Sequence, residues 1–470
     1  MTTHLAPPRR ATSQGIDRPR LARARRRLRW ADLLVMVCWS SVAAAVSLYL
    51  ASGGLLQVVD VASAVTALGI VVGLIGTNLI LVMLVLAARI PLVDRAVGQD
   101  VAMAFHRRLG KPALYLLLGH GVLLTTGYAL QDGSNVISET VGFFSGSDFV
   151  LAYAGLGLLV FVVLSSVVAV RRRFSYEAWH VIHLLSYAAV LVAVPHQLSA
   201  GAVLAGGTWQ RVYWIGLYVL AFGSVAAFRF AVPLVRSARH GITVAGVEAL
   251  APGVVSIHLR GRDLERLQTE GGQYAIWRFW SAKTWWHAHP ISFSAVPSAH
   301  SARITVRDLG RGSSAISRVL PGTRVSIEGP YGIFTDAARM TNRVAVVAAG
   351  IGITPVRSLL EGARLSSGEA TVLLRATDAS QQYLWDEIQN LPGMQGNTVY
   401  SMTGPRPPGV ATWLSAEALN RGVTLTSAFP HLSDSDLYVC GPASWTELVV
   451  RDARVAGLAE TQIHVERFDW

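Results

Sequence analysis

Residues 106–120 read HRRLGKPALYLLLGH, and residues 183–196 read HLLSYAAVLVAVPH. Each is an apolar run closed at both ends by histidine. The spacings of 14 and 13 residues correspond to about 21 Å and about 19.5 Å along a helix axis. An ionisable side chain inside a bilayer is costly and reads as functional. Two helices carrying matched pairs at matched depths can hold two metal centres stacked across a membrane. Bis-imidazole haem suits such pairs, because each iron takes two axial ligands and imidazole supplies them. His106, His120, His183 and His196 are therefore the expected metal ligands. Zinc is disfavoured, because nothing brings four ligands around one point.

Fourteen residues make nearly four turns, so His106 and His120 share a helix face. Thirteen leave His183 and His196 on different faces of an ideal helix. Pro195 is expected to kink or unwind that helix and correct the aim. His180 lies one turn before His183. Paired with His196 it spans roughly 24 Å, a poorer match to the other helix. It is read as meeting a propionate, a lipid headgroup or the cytosolic domain.

Working outward, six apolar runs stand at about 30–51, 62–88, 104–130, 149–170, 178–197 and 211–232, each near the ~20 residues a spanning helix needs. Arginine orients them. The first 29 residues carry nine Arg. The loop at Arg89–Lys111 holds Arg89, Arg95, Arg107, Arg108 and Lys111, the next basic loop Arg171–Arg173, and the exit from the sixth run Arg229, Arg236 and Arg239. The loops at 52–61, 131–148 and 198–210 hold no Lys or Arg. This alternation places both termini in the cytoplasm of a multi-pass protein of the cell membrane. Residues 1–29 read as a disordered basic tail, and 30–235 as the six-span domain.

The composition agrees. Hydrophobic residues make up 52% and charged residues 15%, against roughly 25% charged in an average soluble protein. The net charge of +12 lies in the tail and the loops, which fits membrane orientation and gives no nucleic-acid partner. Two cysteines, Cys38 and Cys440, support no disulfide framework, zinc site or iron–sulfur cluster.

After residue 240 strand-like runs at Thr243–Val247, Val254–Leu259, Ala302–Val306 and Arg324–Glu328 suggest a small antiparallel β domain over 240–338. From 339 the pattern turns to buried strand, glycine turn and helix, as in Val344–Ala348, Gly350–Pro355 and Val356–Arg364. Further strands at Thr371–Arg375 and Asp436–Val439 predict an α/β domain with a parallel sheet over 339–470. Four motifs stand out. His289-Pro290-Ile291-Ser292-Phe293-Ser294 offers hydroxyls and amides to a ring edge and a phosphate. Arg307 followed by Gly310, Gly312 and Ser313 offers a charge and an amide nest to a pyrophosphate. Gly350-Ile351-Gly352-Ile353-Thr354-Pro355 opens a helix, where backbone approach and helix N-terminus favour a dinucleotide. Cys440-Gly441-Pro442 ends a strand where a thiol can lie beside a reacting ring. Either Phe468 or Trp470 is the candidate aromatic lid. Arg375, after a strand, can pair with a 2′-phosphate.

Together the two histidine pairs, HPISFS, GPYG at 329–332, GIGITP, CGP and the terminal ERF resemble the ferric reductase and NADPH oxidase superfamily, in its minimal prokaryotic form. The resemblance implies a six-helix dihaem cytochrome b bundle, then an antiparallel β-barrel FAD domain, then an α/β NAD(P)H domain. It implies that His289, Pro290, Ser292, Arg307 and Ser313 contact FAD. It implies that Gly350, Gly352, Thr354, Pro355, Arg375, Cys440 and Gly441 line the nucleotide site, with Phe468 over the flavin. Electrons would pass from NADPH, or NADH, through FAD and two b-type haems to an outer acceptor, O₂ or a chelated metal ion. The alternative is an electron-relay module feeding a partner protein or quinone.

Overall fold

The structure, a computed structural model, describes residues 18–171, 173, 174, 176–199, 204 and 206–468. It divides into two compact units. One comprises Ala31–Val93 and Gln99–Arg229. The other comprises residues up to Trp30, Asp94–Gly98 and Phe230 onward.

The helices in order are α1 (Arg18–Ala51), α2 (Val61–Ala87), α3 (Pro91–Val97), α4 (Gln99–Asp132), α5 (Val136–Phe143), α6 (Ser147–Ser166), α7 (Val168–Arg171), α8 (Tyr176–Val192), α9 (Val194–Ser199), α10 (Trp209–Val225) and α11 (Val232–His240). Among the described residues six helical stretches are long and apolar enough to cross a membrane, and they coincide with the six apolar runs of the sequence. The fifth is broken at Ala193, between α8 and α9. Pro195 explains the break, since it has no N–H for the turn before it. The sixth carries a π-helical segment, Ala226–Ala231, between α10 and α11. Pro233 cannot donate to the Arg229 carbonyl, and the wider turn absorbs that loss.

The expected disorder of the basic tail does not hold for residues 18–29. They form the first turns of α1. Arginine is a good helix former, and one face of this segment is covered, with Ala24 buried and Arg20 3.5 Å from Asp336. The remainder of the tail lies outside the described residues.

The soluble unit has two sheets. β1 (Thr243–Ala251), β2 (Val254–Arg260), β3 (Tyr274–Phe279), β4 (His289–Ala295), β5 (Ser301–Arg307) and β6 (Val325–Tyr331) form an antiparallel sheet in the order β1-β2-β5-β4-β3-β6. Its core gathers Trp277, Phe279, Phe293, Ile257, Ile304 and Ile327, all fully buried. The expected closed barrel is not seen. The edge strands meet only through a bridge between Thr243 and Arg324 and backbone bonds such as Val244 N–H to Thr323 O. Register shifts at Val244/Gly246 and Ala249/Ala251 bend β1 and end the ladder early.

β7 (Arg343–Ala349), β8 (Ala370–Arg375), β9 (Thr398–Met402), β10 (Ser435–Pro442) and β11 (Ile463–Phe468) form a parallel sheet in the order β11-β10-β7-β8-β9. The middles of its central strands, residues 344–349 and 437–440, are apolar and buried, as a sheet covered on both faces requires. The chain moves from β7 outward to β9 and returns to β10 on the other side of β7. Ligands of such sheets bind where the order reverses, at the carboxyl ends of β7 and β10. The short helix α12 (Arg311–Ile316) follows β5; α13 (Ile353–Gly362) follows β7; α14 (Trp385–Gln389) follows β8.

The two sheets are tied by charge. Arg303 of β5 donates to both carboxylate oxygens of Glu387 in α14, at 2.9 and 2.7 Å, and Arg357 of α13 donates to the same carboxylate at 3.0 Å. Gly272 N–H adds a bond to Ser358 Oγ at 2.9 Å.

Candidate functional site

In the helical unit α2 and α4 run antiparallel, with glycines of α2 facing α4. A Cβ on Gly69 would stand 3.0 Å from Leu124, and one on Gly76 3.0 Å from Leu117. This close approach lets α4 use the α2 backbone. His120 Nδ1 lies 2.8 Å from the Gly69 carbonyl, and His106 Nδ1 lies 3.0 Å from the Met83 carbonyl. A carbonyl only accepts, so each Nδ1 carries the proton and each Nε2 keeps a lone pair for a metal.

The partner histidines come from α8 and α9. His183 faces His106, their ring centroids 6.1 Å apart and their planes at 62°. His183 also stacks on Trp179 at 5.1 Å, and Arg171 lies over that indole at 4.6 Å. His196 is within electrostatic reach of His120. Among the described residues the buried Nδ1 of His183 has no hydrogen-bond partner. Among the described residues no group of three or more His, Cys, Asp or Glu converges on a point.

In the soluble unit the carboxyl ends of β7 and β10 and the start of β4 carry most of the motif residues. The Gly350–Gly352 turn crosses directly over β10. A Cβ on Gly352 would collide with the Cys440 carbonyl, so only glycine permits this path. Gly350 has φ +55°, a left-handed conformation that glycine adopts without strain. Arg307 Nη1 and the Tyr383 hydroxyl come within 3.7 and 4.0 Å of the place a Gly350 Cβ would take, so Arg307 belongs to this turn as well as to its own strand. Thr354 Oγ1 and Ser292 Oγ are buried without a hydrogen-bond partner, and so is His289 Nε2. Orphaned polar atoms of this kind are costly unless a ligand completes them. Burial, then the neighbouring His287 and Arg278, push the His289 imidazole down to about 4. Gly312 leaves room for that ring, 2.9 Å from its own missing Cβ.

Other motif residues are placed differently. Ser313 Oγ is engaged within its own turn, accepting from Leu309 N–H at 2.8 Å and donating to the Gly310 carbonyl at 3.1 Å. Pro290 and Ile291 stand opposite Ile276 and Ala275 in the sheet register, and the Ile291 carbonyl accepts from Trp277 Nε1 at 2.9 Å. Pro355 is buried in the first turn of α13. Gly441 packs on Trp445, and Pro442 stands opposite Phe468, which is half-buried. Trp470 lies outside the described residues.

Two expectations change. Arg375 is 5% exposed and spends its guanidinium on the carbonyls of Ala376, Met402 and Gly404. It holds the loop after β9 and is not free to read a ribose phosphate; the exposed Arg406 lies on that same loop. Cys440 is fully buried, and burial followed by Glu466 pushes its thiol well up. Its Sγ is therefore a neutral packing group, with its carbonyl under the glycine turn. Glu466 itself, buried and opposite Cys440 in the parallel register, was not singled out from the sequence. The available signal was its place in the terminal ERF motif. The Glu387 clamp gave none, because its partners lie 84 and 30 residues away.

Residues 72–194 match the family model described as ferric reductase like transmembrane component. The match takes in His106, His120 and His183 and ends two residues before His196. A ferredoxin–NADP reductase B from Sorangium cellulosum is 30% identical over 170 residues, covering 34% of this chain and 68% of that reductase. The chain belongs to the ferric reductase and NADPH oxidase superfamily. A flavohemoprotein from Xylella fastidiosa is 26% identical over 208 residues, 42% of this ferric reductase-like chain and 51% of the flavohemoprotein. The chain thus spans about half the length of that relative. The flavohem-like FAD/NAD binding domain of a nitric oxide dioxygenase from Vibrio cholerae has a TM-score of 0.39 and 20% identity, covering 49% of this chain and 99% of that domain.

Proposed function

We propose that this superfamily member is a transmembrane oxidoreductase that takes electrons from cytoplasmic NADPH through FAD and two b-type haems to an acceptor on the outer face of the cell membrane, O₂ or a chelated ferric ion. The observation that carries this reading is the pairing of His106 with His183. The two ring centroids stand 6.1 Å apart, and His106 spends its Nδ1 on the Met83 carbonyl, which leaves Nε2 as the donor to a metal. The residues present therefore fit the group. His106 and His183 would hold one haem, and His120 and His196 the other.

When bound, FAD exchanges electron pairs with a nicotinamide and single electrons with haem, which converts two-electron to one-electron transfer. The chain's own residues do the rest. The Gly350–Gly352 turn and the N-terminus of α13 receive phosphates. Ser292, Thr354 and His289 present the unpaired polar atoms that orient the rings. The Arg303–Glu387–Arg357 clamp fixes the angle between the two sheets. Trp179 presses on the His183 ring and holds its plane.

The test is made on the full-length protein purified in detergent. Pyridine haemochrome analysis should give two b-type haems per chain, and anaerobic NADPH should reduce both. Replacing any of His106, His120, His183 or His196 by Ala should lower the haem content, whereas His180→Ala should not. Oxidation of NADPH with O₂, with superoxide dismutase as control, and with a ferric chelate then identifies the acceptor. Haem-free protein with intact FAD would overturn the dihaem reading. Haems that reduce but pass nothing to either acceptor would favour a relay to a protein or quinone.

A further inference from the structure

The α2 helix meets the α4 histidines at two levels, and the levels repeat with one spacing. Gly69 and Met83 are 14 residues apart in α2, as His106 and His120 are in α4. Because the helices are antiparallel, the first carbonyl meets His120 and the second His106. A helical carbonyl is normally screened by the side chain four residues on, since side chains lean back toward the N-terminus. Four residues after Gly69 comes Gly73, and four after Met83 comes Ala87. Both carbonyls are thus bared by minimal side chains. At Gly73 the requirement is strict, because any Cβ there would collide with His120 Nδ1.

The ligand opposite His106 has no such support: the Nδ1 of His183 is buried and unpaired. That pair therefore joins an anchored imidazole from α4 to an unanchored one from α8. An Nδ1–H bonded to a carbonyl fixes the tautomer and raises the basicity of Nε2 toward a metal.

We propose that Gly73 is a positioning residue that sets the orientation and basicity of the His120 ligand, and that Ala87 does the same for His106, so that α2 tunes the two haems independently. The inference rests on the dihaem reading. Weakening the bond at one level makes Nε2 a poorer donor to the ferric iron, which favours the reduced state at that level alone.

The experiment uses the full-length, haem-loaded protein with three substitutions. Gly73→Ala should change one haem of the two: its low-spin EPR signal shifts, and its reduction equilibrium moves by roughly tenfold, or about 59 mV upward, while the other haem keeps its signal and potential. Ala87→Leu should do the same to the other haem and leave the first. Gly119→Ala is the control, since a Cβ there meets only Val72 at 3.7 Å, and it should leave both haems unchanged. Unchanged spectra and potentials in Gly73→Ala, or equal changes in both haems, overturn the proposal. If Gly73→Ala does not fold, Ala87→Leu decides it by the same criterion. Absence of haem from the wild-type protein would instead refute the dihaem reading itself.

Discussion

Replacing Glu387 by Gln should loosen the joint between the two sheets of the soluble unit. The carboxylate takes three charge-assisted hydrogen bonds, two from Arg303 and one from Arg357. Each is worth about 1.5–3 kcal/mol when buried. The Glu387 side chain is 36% exposed and the two arginines 13% and 11%, so solvent screening reduces the loss to about 2 kcal/mol for the set. For a unit of this size ~1 kcal/mol moves the melting temperature by about 2–4 °C, so the variant should melt about 4–8 °C lower. Burial alone would raise the Glu387 carboxyl, but Arg303 and Arg357 outweigh it and hold it below the ordinary range. A depressed native pKa stabilises fully above the unfolded value of about 4.3 and is lost as pH falls through the native one. The melting difference should therefore be complete at pH 7 and shrink in acid. Because the clamp fixes an angle and binds no ligand, kcat for flavin reduction should fall more than KM for the nucleotide rises. Thermal melts from pH 3 to 7 and stopped-flow flavin reduction check this. Equal melting temperatures with unchanged kcat would show that the clamp carries no weight.

Other outcomes follow from single residues. Gly352→Ala should abolish nucleotide oxidation and leave haem content intact, because a Cβ there collides with β10; normal activity would refute the close crossing. Arg375→Ala should lower stability and raise KM for NADPH and NADH together, while Arg406→Ala should raise KM for NADPH alone, by about tenfold for loss of ~1.4 kcal/mol; steady-state kinetics with both nucleotides distinguishes them. His289, depressed to about 4, binds its proton more weakly in the folded than in the unfolded chain. Its stabilisation should be complete above about pH 6.5 and decline as pH falls toward 4. A His289→Ala variant should show a flatter melting profile over that window, read by flavin fluorescence.

The six spans were legible because bilayer thickness dictates the length of an apolar run, which is why the six runs matched helices. The histidine spacing was legible, and the structure sets His183 beside His106. The broken fifth helix was legible from Pro195. The nucleotide turn was legible because a buried strand, glycines and a helix follow one another within a few residues. What escaped depends on tertiary contacts. Residues 18–29 read as a charged tail until Ala24 and Arg20 are seen against the soluble unit. Arg375 read as a partner for a 2′-phosphate, because burial of a guanidinium depends on carbonyls 27 and 29 residues away. The incomplete closure of the first sheet depends on shifts within β1 that no periodicity records. The α2 glycines drew no reading, since a bare carbonyl leaves no mark on the sequence.

The burial of Cys440 has a practical consequence. Peroxide and alkylating reagents attack thiolates that they can reach. This thiol is neither ionised nor accessible while β10 is in place. It is therefore protected from oxidative wear in the native state and becomes reactive only when the parallel sheet opens. The rate at which a charged maleimide labels Cys440 is then a clock for that opening. It reports opening of the parallel sheet in the intact protein, with no engineered cysteine.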